Sequence, residues 1–143
     1  MKLDAGSVLN ISAAQLMGAI APQLPPGYPQ ASASLTGFLL TFCAQELDRA
    51  ADIRAKENDD MRALFADLGP GVSDGALRVK LGLAASRKDT SLTISALDAA
   101  NAELRGLLIT LHAVLDANPD ANARIWHLLR DMADRRILKL PGA

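Results

Sequence analysis

The chain of 143 residues contains few aromatic residues, which make up 3% of it. Val, Tyr, Phe and Trp are favoured in strands, so their scarcity leaves little material for a β-sheet. Apolar residues nevertheless make up 50% of the chain, mostly as Ala and Leu, which are the strongest helix formers. The composition therefore excludes disorder of the whole chain and predicts a helical protein with a sizeable core.

The chain also lacks an excess of charge of either sign, since its net charge is −1 and its pI is about 6.1. A nucleic-acid-binding protein would normally carry a basic field, so this class is not expected. Cys43 is the single cysteine, which rules out an intrachain disulfide and predicts a buried, inert thiol in its apolar surroundings. The chain has no charge-free apolar run of about 18 residues, so we expect no membrane span. It also has no convincing signal peptide, so we expect a cytoplasmic location.

The first part of the chain predicts two helices separated by a proline-rich loop. Ser12 to Gln15 resembles a capping box, so the first helix is expected to start near Ala13 and residues 1–11 to be a loose end. Leu24 and Tyr28 are expected to anchor the loop. A long second helix follows from about Pro29.

The apolar stripe of the second helix shifts register near Asn58. Either the helix continues through the shift, or Asn58 caps a new helix with acidic residues in its first turn. We favour continuity. Gly69 and Pro70 then provide a clear stop.

Two further helices are expected before the last one. The third is short, could be capped by Ser73, and belongs to the only locally basic segment, which holds Arg78, Lys80, Arg87 and Lys88. The fourth is predicted over 90–117 and has the cleanest periodicity in the chain. Its leucine seam, spaced by alternating steps of three and four residues as in a coiled coil, comprises Ile94, Leu97, Asn101, Leu104, Leu108, Leu111 and Leu115.

Asn118 and Pro119 end the fourth helix and begin the last one, as N-cap and first helical residue. Ile125, Leu129 and Met132 are expected to line this last helix, and Trp126 to broaden its apolar face. Residues 139–143 are expected to be a loose end.

One pattern occurs twice, from Asn58 to Leu68 and from Asn101 to Leu111. Each copy reads Asn, any residue, acid, apolar, Arg, small, Leu, apolar, two further residues, Leu. Duplication of a helical unit would explain the pattern, and so would chance in a chain rich in Ala, Leu and Arg. Both explanations stay open at this point.

Candidate chemistry is sparse. The three glutamates and two histidines do not form the Glu-x-x-His pairs of a metal site in a helical bundle. His127 has a basic residue three positions later, as in phosphotransfer domains, but Asp131 replaces the expected glycine and would repel a phosphoryl group. We therefore predict that His127 is a surface residue and His112 a hydrogen-bonded residue at the core boundary.

Three polar residues stand out instead. Asn101 interrupts the leucine seam, and either fixes helix register or oligomeric state or is half exposed and bonded to a neighbouring helix. Arg62 and Arg105 lie beside the apolar stripes and are expected to pair with carboxylates such as Asp59 or Asp98.

Part of the chain resembles a group of small, uncharacterised helical proteins of bacteria. The resemblance rests on Ile20, Leu24-Pro25, an Ala-rich run, 44–47 (Ala-Gln-Glu-Leu), Glu57-Asn58 and 61–65 (Met-Arg-Ala-Leu-Phe). It covers about a third of the chain. Members of the group tend to be encoded beside aminoglycoside-phosphotransferase-like kinases and acyl-CoA dehydrogenases. The resemblance implies an accessory protein of an acyl-CoA-linked pathway, and it provides no catalytic residue to carry over to this chain.

Together these observations predict a single all-α domain, an up-down bundle of four to five helices of which two are long. The leading functional hypothesis is a non-enzymatic accessory or interaction protein that self-associates or binds a protein partner, without a cofactor, metal or nucleic acid. Its predicted interaction residues are Asn101, Leu104, Leu108, Leu111, Trp126, Arg62 and Arg105. The alternatives are a binder of small hydrophobic or acyl ligands and a helical chaperone of the export type.

Overall fold

The computed structural model describes residues 4–140, and within that range it contains helices and no strand. Its five α-helices are α1 (Ala5–Gln15), α2 (Tyr28–Leu68), α3 (Gly75–Ser86), α4 (Ile94–Leu115) and α5 (Pro119–Arg135). The two long helices, α2 and α4, have 41 and 22 residues. The prediction of an all-α bundle of four to five helices, two of them long, is confirmed.

The chain groups into two compact units, whereas its sequence predicts a single domain. Among the described residues, unit 1 comprises residues 4–50 and 138–140, and unit 2 comprises residues 51–137. The division falls inside α2, which is one continuous helix from Tyr28 to Leu68. The preference for continuity at Asn58 is therefore confirmed.

In unit 1 the first helix starts earlier than the sequence predicts. Asp4 is the N-cap of α1, and its carboxylate accepts a hydrogen bond from the Ser7 amide at 2.8 Å. Ser12 consequently lies inside the helix, and the prediction that residues 1–11 are loose is wrong for residues 5–11. Residues 1–3 lie outside the described range. A single π-helical segment, Leu16–Ile20, and a 3-10 turn, Ala21–Gln23, lead out of α1.

The first helix packs on the N-terminal half of α2 through small residues. Gly37 allows this close approach, because a Cβ atom there would collide with the Met17 side chain. The buried apolar side chains of unit 1, within its described residues, are all alanines: Ala13, Ala21, Ala44 and Ala50. Near the C-terminus, the Lys139 backbone exchanges two hydrogen bonds with the Gln45 side chain, at 2.7 and 2.9 Å. The predicted loose end therefore does not begin at Lys139, whereas residues 141–143 lie outside the described range.

Unit 2 is held by a hydrophobic core that α3, α4, α5 and the C-terminal part of α2 share. Its largest fully buried members are Met61, Phe65, Leu81, Leu111 and Ile125. The buried residues of α3 are Leu77, Leu81 and Ala84. In α5 the buried positions are Ala121, Ile125, Leu128 and Met132, while Leu129 is only partly buried.

Helix boundaries in unit 2 follow local polar residues. Gly69–Gly71 forms a 3-10 turn that ends α2 at the predicted stop. Asp74, and not Ser73, caps α3, because its carboxylate accepts hydrogen bonds from the amides of Ala76 and Leu77. Asn118 caps α5 with Pro119 at the first position, as predicted. Among residues 4–140 no helix combines the length and apolar content needed to cross a membrane.

Candidate functional site

A buried polar network joins α2 to α4 within unit 2, and the two copies of the repeated pattern meet in it. The Asn101 amide nitrogen donates to Asn58 Oδ1 at 2.9 Å and to Glu57 Oε2 at 3.1 Å. Asn101 Oδ1 accepts from Arg105 Nε at 2.7 Å. Since Asn58 and Asn101 are the first residues of the two copies, the repeated pattern places two amides face to face between the helices.

Glu57 is the charged centre of this network and is fully buried. Arg136 donates to both of its carboxylate oxygens, at 2.7 and 2.6 Å, and Arg105 donates to one of them at 3.3 Å. Burial alone would raise the pKa of Glu57. The hydrogen bonds and charge of Arg136, together with Asn101 and Arg105, outweigh the burial and hold that pKa below its ordinary value of 4.5.

The second charged pair of the network is Arg62 with Asp89. Arg62 Nη2 lies 2.5 Å from Asp89 Oδ1, and Asn58 Nδ2 donates to Asp89 Oδ2 at 3.0 Å. The hydrogen bond from Arg62 lowers the pKa of Asp89, overcoming the effect of burial. The same bond raises the pKa of Arg62, whose second contact is Asp59 at 3.2 Å. Asp89 therefore ties the loop before α4 to α2.

The arrangement of the network supports a structural task. Both carboxylates, Glu57 and Asp89, are ionised and held by arginines, so neither is placed to exchange a proton near neutral pH. Within residues 4–140 no group of three or more His, Cys, Asp or Glu side chains is placed to hold a metal ion. Buried groups that find partners only in one alignment of the helices select that alignment over others.

The structure places the predicted interaction residues in different environments. Asn101, Leu104, Leu108 and Leu111 are at most 5% exposed, so the expectation that they form a surface for another chain needs correction: the seam closes within unit 2. Ile94, at the N-terminal end of the seam, is 38% exposed. Arg62 is buried, whereas the Arg105 side chain is 40% exposed.

The expected pairing of the two arginines is right in one case. Arg62 does contact Asp59, whereas Arg105 contacts Glu57 in place of Asp98. Asp98 instead pairs with Arg54 of α2 at 2.5 Å. Arg105 contacts Glu57 because Glu57, one residue before Asn58, faces inward.

Sequence reasoning missed Glu57, Asp89 and Arg136 as members of the network. Glu57 directly precedes Asn58, where the apolar stripe of α2 shifts register. If the helix is continuous through this shift, Glu57 faces inward, and this was the signal in the sequence that could have identified it. Asp89 and Arg136 are distant in sequence and lie outside the helices they contact, which left no local pattern to identify them.

Trp126 and His127 lie at the surface of unit 2, and His112 lies at the boundary of its core. Trp126, which is predicted to broaden the apolar face of α5, is 56% exposed and therefore lies outside the core. Its ring meets the His112 ring edge-on at 5.6 Å, and His112 Nε2 lies 3.0 Å from Asn122 Oδ1, as predicted for a boundary histidine. The His127 side chain is 76% exposed and lies 3.6 Å from Asp131.

In unit 1 the N-terminal half of α2 presents a second apolar face. Leu35, Phe38, Leu39 and Phe42 recur at steps of three and four residues and so share one side of the helix; we call them the α2 apolar face. Leu35 is 59% exposed, Leu39 53% and Phe38 38%, while Phe42 is partly buried. The buried residues Gly37 and Ala44 lie on the opposite side of the helix.

Two sequence expectations fail in the same region. Tyr28 is 85% exposed and does not anchor the proline-rich loop. Cys43 is exposed where a buried thiol is predicted. Both residues belong to the N-terminal half of α2, where Gly37 and Ala44 are buried.

Comparisons with family models, with curated proteins and with solved structures find no match to this chain. The resemblance to the bacterial helical group and the cytoplasmic location stay predictions.

Proposed function

We propose that this protein is a non-enzymatic helical interaction protein that self-associates, with the α2 apolar face as its contact surface. The observation that carries the proposal is the exposure of Leu35, Phe38 and Leu39 on one side of a helix whose other side buries only small residues. A contiguous exposed apolar stripe costs free energy in water and is characteristic of interaction sites. Covering it with another apolar surface regains that free energy.

The chemistry of unit 1 favours a second copy of the chain as the occupant. Residues 5–45 contain no Asp, Glu, Lys, Arg or His. In a two-fold symmetric dimer the same patch meets itself, so any charge near the axis would face a like charge. An uncharged surface avoids this repulsion, and depletion of charge is the compositional mark of interface cores.

Unit 2 supports the non-enzymatic part of the proposal. Its carboxylates Glu57 and Asp89 accept hydrogen bonds from arginines and amides of the same network. The leucine seam of α4 is buried in the core of unit 2. We therefore assign the contact with a partner to the α2 apolar face of unit 1, and not to the leucine seam of α4 that the sequence favours.

The proposal is tested by measuring absolute mass in solution by light scattering, over a concentration series and in the presence of a reductant. We expect the wild-type mass to rise from the 15.1 kDa of one chain towards twice that value. Leu35→Glu together with Leu39→Glu removes two apolar side chains, each worth about 1.5–3 kcal/mol when buried. The double variant is therefore expected to weaken the dimer about 100-fold or more.

Ile109→Glu is the matched control, because Ile109 is 71% exposed on α4, outside the proposed surface. It should dimerise like the wild type. A spin label on Cys43, the single and exposed cysteine, should give one narrow intermolecular distance that the double variant loses. A wild-type chain that stays monomeric throughout the series contradicts self-association and favours a foreign helix as the occupant, as in an export-type chaperone.

A further inference from the structure

A cavity of about 330 Å³ opens in unit 2 between α3, the loop that follows it and α4. This volume lies at the lower end of the range of small-ligand pockets. Its apolar lining comes from leucines and alanines of the two helices, among them Leu83, Ala100, Leu104 and Leu107. It belongs entirely to unit 2 and shares no residue with the α2 apolar face.

Cationic side chains form part of the lining of this cavity. Lys80, Arg87 and Lys88 all line the cavity and are all exposed at its margin. They are three of the four basic residues that make this segment the locally basic part of the sequence. The hydroxyl residues Thr90 and Ser91 line the cavity beside them, and hydroxyls and cations are both hydrogen-bond donors suited to an anion.

Two acidic residues also line the cavity. Asp89 is already held by Arg62 and Asn58, so its charge is compensated within the network. Glu103 is exposed and solvated at the margin. Three margin cations against one margin carboxylate leave the opening electropositive, and such a field concentrates anions near it.

Arg62 is the most buried cation of the lining, with a side chain that is 9% exposed. Its Nε atom is buried without a hydrogen-bond partner in the structure. Because that Nε atom is shielded from solvent, it lies out of reach of a ligand in the cavity, and the cations available to such a ligand are Lys80, Arg87 and Lys88.

We propose that this cavity binds a small amphipathic organic anion, with its carboxylate or phosphate head at Lys80, Arg87 and Lys88 and its apolar body against Leu83, Leu104 and Leu107. The cations provide charge-assisted hydrogen bonds to the head. The leucines remove the apolar body from water. Neither a purely apolar molecule nor a bare anion uses both parts of the lining.

The test is isothermal calorimetry on the full chain with four probes: octanoate, octyl phosphate, 1-octanol and inorganic phosphate. We expect octanoate or octyl phosphate to bind at least tenfold more tightly than 1-octanol and than inorganic phosphate. Whichever head binds better identifies the head group, and both results support the proposal. The affinity should fall as salt is added, because the attraction is partly ionic.

Three variants locate the site. Lys80→Gln with Lys88→Gln should weaken octyl phosphate and octanoate at least tenfold while leaving 1-octanol unchanged. Ala100→Phe should fill the cavity and remove binding without changing any charge. Arg130→Gln, which removes an exposed cation of α5 outside the cavity, should change the affinity less than twofold.

Amide chemical-shift changes should be concentrated in residues 80–107 of the wild-type chain. Equal binding of 1-octanol and the two anions, equal weakening by Arg130→Gln, or the absence of binding at millimolar probe would each overturn the proposal. Light scattering on the same samples keeps it separate from self-association, because the two surfaces share no residue and either can fail alone.

Discussion

At the residue scale, the buried charge of Glu57 is tolerated because hydrogen bonds and opposite charges replace the water that its carboxylate loses. Removing a carboxylate from water costs several kcal/mol unless charge and hydrogen bonds replace the solvent. Arg136 supplies two hydrogen bonds to it, and Asn101 and Arg105 supply one each. Because Arg136 and Arg105 remain about 40% exposed, only the carboxylate loses its water completely.

This environment predicts how stability depends on pH. The pKa values of Glu57 and Asp89 are lower in the folded chain than their ordinary values of 4.5 and 3.8. A depressed pKa means that the ionised form is favoured in the folded state, so its contribution is complete above the ordinary value and is lost as the pH falls through the folded one. We expect the free energy of unfolding, measured in urea, to decline below about pH 4.5.

Glu57→Gln tests the assignment of that decline. The variant should be less stable than the wild type at pH 7, by about 1–3 kcal/mol, and the gap should close as the pH falls towards 2. Glu103→Gln, at an exposed position of α4, should retain the wild-type pH profile. A gap between wild type and Glu57→Gln that is constant with pH would contradict the ionised state of Glu57.

At the element scale, the helices differ in what defines their ends. α1, α3 and α5 each begin at a side chain that accepts backbone hydrogen bonds: Asp4, Asp74 and Asn118. α2 ends instead at Gly69–Gly71, where the backbone tightens into a 3-10 turn before Val72. Free N–H groups in the first turn of a helix have no intrahelical partner, so a polar residue at the right position decides where the helix starts.

The cap of α3 gives a prediction with a neighbouring control. Asp74→Ala removes the acceptor for the Ala76 and Leu77 amides, which lie 2.9 and 3.1 Å from Asp74 Oδ1. We expect a loss of about 1 kcal/mol in the free energy of unfolding. Ser73→Ala should change it by less than about 0.5 kcal/mol, since Ser73 is an exposed residue outside the helix. Equal effects of the two substitutions in chemical denaturation would contradict the assignment of the cap.

At the scale of the whole molecule, the two units differ in the material they bury. Unit 2 buries Phe65, Leu81, Leu111 and Ile125, whereas the buried apolar side chains among the described residues of unit 1 are alanines. Burial of large side chains provides most of the free energy that opposes chain entropy. The free energy of unfolding of the monomer is therefore expected to come mainly from unit 2.

A pair of leucines tests this distribution. Leu111→Ala, at a fully buried position, is expected to cost about 2–5 kcal/mol because it removes contacts and leaves a cavity. Leu35→Ala, where the side chain is 59% exposed, should change the unfolding of dilute monomer by less than about 0.5 kcal/mol. Urea unfolding at concentrations below self-association measures both. A large loss for Leu35→Ala in the monomer would contradict its assignment to an uncovered face.

The sequence alone determined the helical class, a range of four to five helices, the stop at Gly69 and the start of α5 at Asn118. These properties depend on composition, periodicity and capping, which act over a few residues. Tertiary structure decided which apolar stripe was covered: the leucine seam of α4 closed within unit 2, while Leu35 and Leu39 stayed exposed. It also brought Asp89 and Arg136 to Arg62 and Glu57, and the basic residues of α3 and of the loop after it to a cavity. Periodicity shows that a helix has an apolar side, but only the packing of distant elements determines what lies against it.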